Sequence, residues 1–190
     1  MTDTHSRVED LASPRRPRRR VRPALVAAAV VAGLLLAGVG AYLFQPWKLF
    51  VDDVVDDPLP GAVANADGSA SGLDVLASGR FVSHEHDTTG TVRVLRLPDG
   101  ERILRIDDLD TSNGPALRVW ITDAELVDGR GGWFVFDDGR YVDLGALRGN
   151  VGDQNYPLPA AVDLDELTSV SIWCERFSVS FGAAELTPGR

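Results

Sequence analysis

Residues 91–106 read TVRVLRLPDGERILRI and contain two alternating apolar segments, Thr91–Leu97 and Arg102–Ile106, on either side of Pro98-Asp99-Gly100. Alternation of apolar and polar residues with a period of two is typical of a β-strand that buries one face. A short turn containing Pro, Asp and Gly between two such segments indicates a β-hairpin. The sequence therefore predicts an antiparallel pair of strands here.

Similar short apolar segments, separated by turn residues, recur on both sides of this hairpin. The further predicted strands are Arg80–Ser83, Leu117–Thr122, Trp133–Phe136, Tyr141–Leu144, Val170–Cys174 and Ser178–Phe181. Residues 107–115 read as a polar break, and only 161–167 favour a helical turn. About eight short strands at this spacing predict an all-β domain over residues 73–190, an antiparallel β-sandwich or a barrel-like fold.

A long apolar segment lies near the amino terminus. Residues 24–44, ALVAAAVVAGLLLAGVGAYLF, are 21 residues without a charge. About 20 helical residues cross a bilayer, so this segment is predicted to be a transmembrane helix bound to lipid. Six arginines precede it closely and only Lys48 follows. Because positive residues stay inside, residues 1–23 are predicted to be a basic cytoplasmic tail and the carboxyl-terminal part to be extracytoplasmic.

A cleaved secretory signal peptide is the alternative interpretation of this segment. The tail is basic, and Val39-Gly40-Ala41 resembles a cleavage site for small residues. The apolar region of a signal peptide usually has about 7–15 residues, which is shorter than the segment 24–44. The length therefore favours an uncleaved signal-anchor in the cell membrane, and both interpretations place the carboxyl-terminal part outside.

Residues 45–72 connect the apolar segment to the predicted strands. From residue 51 they read VDDVVDDPLPGAVANADGSASG, which is rich in Asp, Ala, Gly, Ser and Pro. Such a composition supplies few large apolar side chains for a core. We therefore predict an acidic, flexible linker over 45–72.

The charge is distributed unevenly along the chain. Residues 1–22 carry seven arginines against three acidic residues, a net charge of +4, whereas residues 45–190 carry 12 basic and 25 acidic residues, a net charge of −13. The acidic part repels phosphate, so nucleic acid is not expected as a partner.

The chain has one cysteine, Cys174. It has no partner for an internal disulfide, so it is either buried and inert or kept for its reactivity. Alternation within the predicted strand places it on the apolar face with Val170 and Ile172. Arg176 follows two residues later, and it would share that face and favour a thiolate if the strand continued.

Two histidines, His84 and His86, lie two residues apart in Ser83-His84-Glu85-His86-Asp87. Alternate residues of a strand point the same way, so both rings would reach one metal ion if further ligands were near. The spacing identifies no third or fourth ligand, and we predict no metal site. The absence of Cys-x-x-Cys-His excludes covalent c-type haem.

The motifs of common enzymes are absent from the extracytoplasmic part. It contains no Gly-x-Ser-x-Gly, no phosphate-binding loop and no dinucleotide fingerprint. Hydrolase or transferase chemistry therefore has no positive support in these residues.

Several segments, taken together and in order, resemble the electron-transfer DM-thirteen domain. They are Gly79-Arg80-Phe81, His86–Val92 (HDTTGTV), Asn113-Gly114-Pro115, Leu147–Pro159 (LRGNVGDQNYPLP), Ser169–Phe177 (SVSIWCERF) and Phe181–Ala184 (FGAA). The resemblance covers nearly all of Phe81–Leu186. His84 matches nothing in the family pattern, and the insertion Asp128–Trp133 departs from it.

The resemblance implies a small β domain with a redox role in which Cys174 and His86 occupy the family's cysteine and histidine positions. Cys174 is then a candidate redox thiol, and both residues are candidates to bind a group such as non-covalent haem. A redox protein or an envelope protein is the implied partner. The alternative is a non-catalytic cell-surface binding module that presents an aromatic patch formed by Trp133, Phe134 and Phe136.

Overall fold

The structure is a computed structural model that describes residues 22–61, 63–64, 70–71, 73–127 and 129–189. The predicted cytoplasmic tail lies outside these residues except at its last two positions. The chain divides into two compact units, 1–40 and 41–190. We call the second unit the β domain.

The apolar segment forms helix α1, Pro23–Phe44, whose first residue is a proline, a residue favoured at the start of helices. None of its side chains is buried in protein. It is the one helix in the described part of the chain that is long and apolar enough to cross a membrane. A helix that is apolar on all sides is typical of a membrane span.

The described part of the β domain contains thirteen short strands. In chain order they are β1 Val54–Asp56, β2 Val63–Ala64, β3 Ala70–Ser71, β4 Asp74–Arg80, β5 Val82–Ser83, β6 Thr89–Arg96, β7 Arg102–Asp110, β8 Leu117–Thr122, β9 Tyr141–Ala146, β10 Val151–Pro157, β11 Ser169–Cys174, β12 Val179–Glu185 and β13 Thr187–Pro188. One 3-10 helix, Pro46–Phe50, precedes β1, and another, Arg130–Phe134, lies between β8 and β9.

The strands form a six-stranded sheet, a five-stranded sheet and a separate β2-β3 pair. The first sheet has the order β1-β10-β7-β6-β4-β13 and the second the order β5-β12-β11-β8-β9. All pairings are antiparallel except β1 with β10. The predicted all-β antiparallel fold is confirmed, and so is the hairpin, in which Val94 of β6 pairs with Leu104 of β7.

The core lies between the two sheets. The first sheet contributes Val92, Val94, Leu104 and Ile106, and the second contributes Val119, Ile121, Val170 and Ile172, all of them buried. Burying an aliphatic side chain of this size stabilises the fold by about 1.5–3 kcal/mol. This apolar layer holds the sheets together and fixes which side chains of β11 point inward.

Two predicted segments differ from the structure. Trp133–Phe136 is not a strand, because the 3-10 helix ends at Phe134 and Phe136 closes over a second small core. The polar break begins later than predicted, because β7 continues to Asp110. Asp107 can occupy the strand since its carboxylate binds Arg93 and Arg105.

Strand β10, Val-Gly-Asp-Gln-Asn-Tyr-Pro, was not predicted, because its side chains are mostly polar and show no apolar alternation. The structure satisfies them inside the protein. The buried Gln154 amide donates to the Gly149 carbonyl and accepts from the Tyr156 hydroxyl. A polar strand is stable here because its hydrogen bonds have partners.

The segment predicted as a flexible linker also differs in its first half, where β1 joins the first sheet. The Asp53 amide donates to the Asn150 side chain at 2.7 Å, and the Asp57 carboxylate binds Arg148. The acidic residues of this half thus find basic and amide partners. Residues 62, 65–69 and 72 lie outside the described part of this segment.

Arg105 of β7 connects three strands of the first sheet. Its side chain is 5% exposed and binds the Asp107 carboxylate at 2.8 Å, the Asp153 carboxylate and the Asp57 carbonyl oxygen. Burial raises the pKa of Asp107, but hydrogen bonds from Arg93 and Arg105 outweigh this effect and hold the pKa below its ordinary value. The guanidinium therefore stays paired at neutral pH.

We predict that Arg105→Ala lowers the free energy of unfolding by about 3–5 kcal/mol, because it removes a buried cation, leaves the Asp153 carboxylate without its partner and takes one of two cations from Asp107. Arg140→Ala is the matched control, since Arg140 forms its ion pairs at the surface and should leave the unfolding midpoint nearly unchanged. Chemical unfolding of the full chain in detergent, followed by tryptophan fluorescence, measures both. Equal effects of the two substitutions would contradict a structural role for the Arg105 network.

Candidate functional site

Cys174 is the last residue of β11, where it pairs with Leu117 of β8 and Val179 of β12. Its side chain is 0% exposed and packs in the main core with Val170 and Ile172. The predicted placement on the apolar face is therefore confirmed. The structure shows that Cys174 is buried, and its redox role stays a prediction.

The Cys174 thiol donates a hydrogen bond to the carbonyl oxygen of Pro115, with Sγ 3.3 Å from that oxygen. Burial raises the pKa of the thiol, because the core solvates a thiolate poorly, and the backbone amides of Phe177 and Arg176 oppose this only in part. The charge of Arg176 also lowers the pKa of the thiol, but burial outweighs this effect, so the pKa stays raised. The strand ends at Cys174, so Arg176 lies in the following turn.

A half-enclosed pocket of about 250 Å³ lies next to this thiol. It is lined by Phe44, Gln45, Pro46, Lys48, Glu85, His86, Asn113, Gly114, Pro115, Phe177 and Phe181. The His86 ring lies against the Phe181 ring, with 3.9 Å between their centroids. Pro115 therefore belongs both to the pocket and to the hydrogen bond of Cys174, and we call this site the His86 pocket.

The segment Asn113-Gly114-Pro115 brings these parts together. A Cβ atom on Gly114 would lie 2.9 Å from Cζ of Phe181, so only glycine lets the backbone approach that ring. The Asn113 amide donates to the Val51 carbonyl at 3.1 Å, which fixes the segment against the chain that follows α1. Motif residues from three distant parts of the sequence thus meet at one site.

His84 lies elsewhere. Its Nδ1 is 2.9 Å from the Ser180 hydroxyl, and its ring is 5.6 Å from that of Phe136. Burial lowers the pKa of His84. His84 and His86 therefore contact different phenylalanines, and within the described residues no three His, Cys, Asp or Glu side chains gather closely enough to hold a metal ion.

The residues present do not fit Cys174 as a haem ligand. Haem iron takes cysteine as a thiolate, whereas burial raises the pKa of this thiol, which keeps its proton and donates a hydrogen bond to the Pro115 carbonyl. The pocket is also smaller than the roughly 300–1,000 Å³ of typical ligand sites. The role of His86 in binding a group stays a prediction.

The aromatic patch proposed for a binding module does not form at the surface. Phe136 is fully buried and Trp133 is partly buried against the main core, so only Phe134 is exposed. These three residues therefore do not support a binding module.

Sequence reasoning missed a stack of aromatic rings on the other face of the second sheet. Tyr141 lies on Trp120 with 3.9 Å between centroids and 9° between ring planes, and Trp120 lies 5.2 Å from Trp173. Phe136 packs edge-to-face against Trp173 at the buried end of the stack. Alternation along β11 predicts that Trp173 and Cys174 point to opposite faces of the sheet. The other rings come together because β8 pairs with β9 and β11, and the sequence does not reveal these pairings.

The fold and site define a β-sandwich domain with a buried, unpaired thiol beside an aromatic pocket. A family model described as Electron transfer DM13 matches residues 80–186, more than half of the chain. The chain belongs to this electron-transfer family, and the resemblance seen in the sequence is confirmed. No curated protein and no solved structure is significantly similar to it.

We predict that a maleimide labels Cys174 of the folded chain about 100-fold more slowly than it labels the unfolded chain, because the thiol is buried and protonated. The control is Glu175→Cys in a Cys174→Ser background, which places a thiol at the next, exposed position. Mass spectrometry follows the time course of both. Labelling of native Cys174 as fast as the control would contradict the buried site.

Proposed function

We propose that this chain is a membrane-anchored, extracytoplasmic electron-transfer protein whose redox group is the thiol of Cys174. The observation that supports this most strongly is the hydrogen bond from the buried thiol to Pro115, which joins the lone cysteine of an electron-transfer domain to the His86 pocket. An electron-transfer domain requires a redox partner, and that partner is a one-electron donor or acceptor.

The protonation state of the thiol determines the form of the redox step. Because the pKa of Cys174 is raised, the thiol is neutral at pH 7. Oxidation then removes one electron, which reduces the oxidised partner, and one proton, which a base accepts, and it leaves a thiyl radical on sulfur. Return of one electron and one proton restores the thiol. Glu85 and His86 line the adjacent pocket and supply bases for that proton.

Burial also distinguishes this step from other thiol chemistry. Sulfenic acid and mixed disulfides form only when the sulfur atom touches a peroxide or a second thiol. The Sγ atom of Cys174 has no exposed surface through which to make such contact. Electron transfer does not require contact, so it is the redox reaction that this geometry supports best.

The membrane topology forms the second part of the proposal. Helix α1 has the length and composition of a span, and Arg15, Arg16, Arg18, Arg19, Arg20 and Arg22 lie on its amino-terminal side. Retention of these arginines in the cytoplasm places the β domain outside, with the helix as an uncleaved anchor. The redox thiol then faces an oxidising compartment.

We predict that the full chain in lipid nanodiscs gives one voltammetric wave that shifts by about 59 mV for each pH unit below the thiol pKa, because one proton leaves with one electron. Cys174→Ser keeps the size of the side chain and a donor for Pro115, and it should abolish the wave. Ser171→Ala, a change at another buried small residue of β11, should preserve it.

Circular dichroism must show that both variants fold like the native chain. A wave that persists in folded Cys174→Ser would show that another group carries the electrons and would refute Cys174 as the redox group.

The topology predicts opposite labelling of two single-cysteine variants on intact cells. In a Cys174→Ser background, a membrane-impermeant maleimide should label Glu175→Cys at once and Ser13→Cys only after permeabilisation. The reverse pattern, or labelling of neither variant before permeabilisation, would place the β domain in the cytoplasm and contradict the proposed orientation.

A further inference from the structure

The buried position of Cys174 requires a route for electrons, because a partner at the surface cannot touch the sulfur. This inference rests on the proposed function and concerns the path of the electron. Trp173 precedes Cys174 in β11, and consecutive Cα atoms are about 3.8 Å apart. Alternation sends the two side chains to opposite faces of the second sheet, Cys174 into the main core and Trp173 into the second one.

From Trp173 a continuous stack of rings reaches the surface. Trp173 is 1% exposed and Trp120 is 4% exposed, whereas Tyr141, which covers Trp120, is 43% exposed. The ring planes are inclined by 25° between the two tryptophans and by 9° between Trp120 and Tyr141. Rings stacked face to face at these separations are in van der Waals contact, which is the arrangement through which an electron passes most readily between side chains.

We propose that Tyr141, Trp120 and Trp173 form an aromatic relay that carries single electrons between the surface of the β domain and Cys174. Tyrosine and tryptophan are, with cysteine, the side chains that lose one electron most easily. Tyr141 also lines an open surface groove of about 460 Å³ with Arg140, Val142 and Leu167, so a soluble acceptor can reach its ring.

The Trp120 indole supports this role through an unusual feature. Its Nε1 is the one buried side-chain nitrogen or oxygen in the described part of the protein without a hydrogen-bond partner. Buried polar groups are almost always paired, and an unpaired one calls for an explanation. When an indole loses an electron, its N–H becomes strongly acidic. With no acceptor in contact, the proton stays on Trp120, and the ring can take an electron back without waiting for a proton.

The balanced sequence begins at the surface. A one-electron acceptor takes an electron from Tyr141, whose exposed phenol releases its proton to water. Tyr141 recovers an electron from Trp120 and a proton from water, Trp120 recovers an electron from Trp173, and Trp173 recovers one from Cys174. The Cys174 thiol releases its proton to a base of the His86 pocket. The net result is one reduced acceptor, one thiyl radical and one proton.

The His86 pocket and the relay thus lie on opposite faces of the second sheet. The proton leaves the thiol on the core side, near Pro115, and the electron leaves through Trp173 on the other side. Phe136 and Ala183 pack beside the tryptophans and keep the buried part of the stack away from water. Because the proton and the electron leave on different faces of the sheet, a partner can accept the electron without contacting the sulfur.

Flash photolysis of the full chain in nanodiscs tests the relay. A photo-oxidised ruthenium polypyridyl complex serves as the soluble one-electron acceptor, and transient absorption follows the aromatic radicals. All variants carry Tyr42→Phe and Trp47→Phe, which remove exposed aromatic residues outside the stack. In this background the aromatic radical should decay quickly as Cys174 supplies an electron. Cys174→Ser should prolong its lifetime at least tenfold, because the final donor is missing.

Trp120→Leu interrupts the stack and should likewise prolong the Tyr141 radical at least tenfold. Trp133→Leu, the same change at a tryptophan outside the stack, should leave the lifetime within twofold. If Trp120→Leu fails to fold, Tyr141→Leu breaks the relay at an exposed position instead, and it should abolish the fast oxidation of Cys174 by the complex.

The outcomes separate the relay from the proposed function. Equal radical lifetimes in the background chain and in Cys174→Ser, together with a voltammetric wave that depends on Cys174, would overturn the relay and leave the electron-transfer function standing. Absence of that wave from the native chain would overturn both.

Discussion

Burial of the Cys174 thiol against the Pro115 carbonyl is the constraint on which the functional account depends. A thiol inside an apolar core keeps its proton, because the core cannot solvate a thiolate. It also cannot touch an oxidant, so reactions that form a bond to sulfur are closed to it in this conformation. Electron transfer through the protein to the buried thiol needs no such contact. The membership of the chain in an electron-transfer family agrees with this reaction.

One strand supplies both sides of the site. The alternation of β11 turns Cys174 toward the core and Trp173 toward the second aromatic cluster, although the two residues are neighbours in the chain. Pro115 contacts the sulfur on the core side, and Val135 and Phe136, which follow the 3-10 helix, pack with the tryptophans. A β-sandwich thus holds a redox group in its interior while a stack of rings connects that group to the surface.

The sequence predicted the features that depend on local pattern. Alternation in 91–106 specified the hairpin, and the uncharged run 24–44 specified helix α1. Two predictions failed because the cause lies in partners distant along the chain. Asp107 was predicted to lie in a polar break, but it pairs with Arg93 and Arg105 within β7 and its neighbouring strand. The segment of β1 was predicted to be a linker, but it pairs with β10 at the edge of the first sheet. The order of the family motifs identified Cys174 and His86, but their meeting at Pro115, and the stack of Tyr141 on Trp120, arise from tertiary packing.

Sulfur K-edge X-ray absorption tests the central claim most directly, because the chain contains only two sulfur atoms, in Met1 and Cys174. The spectrum is recorded before and after the chain has given one electron to a photo-oxidised acceptor and been frozen. The account predicts a new feature of oxidised sulfur that is absent from Cys174→Ser treated in the same way. An unchanged sulfur spectrum in a chain that has lost an electron would contradict it.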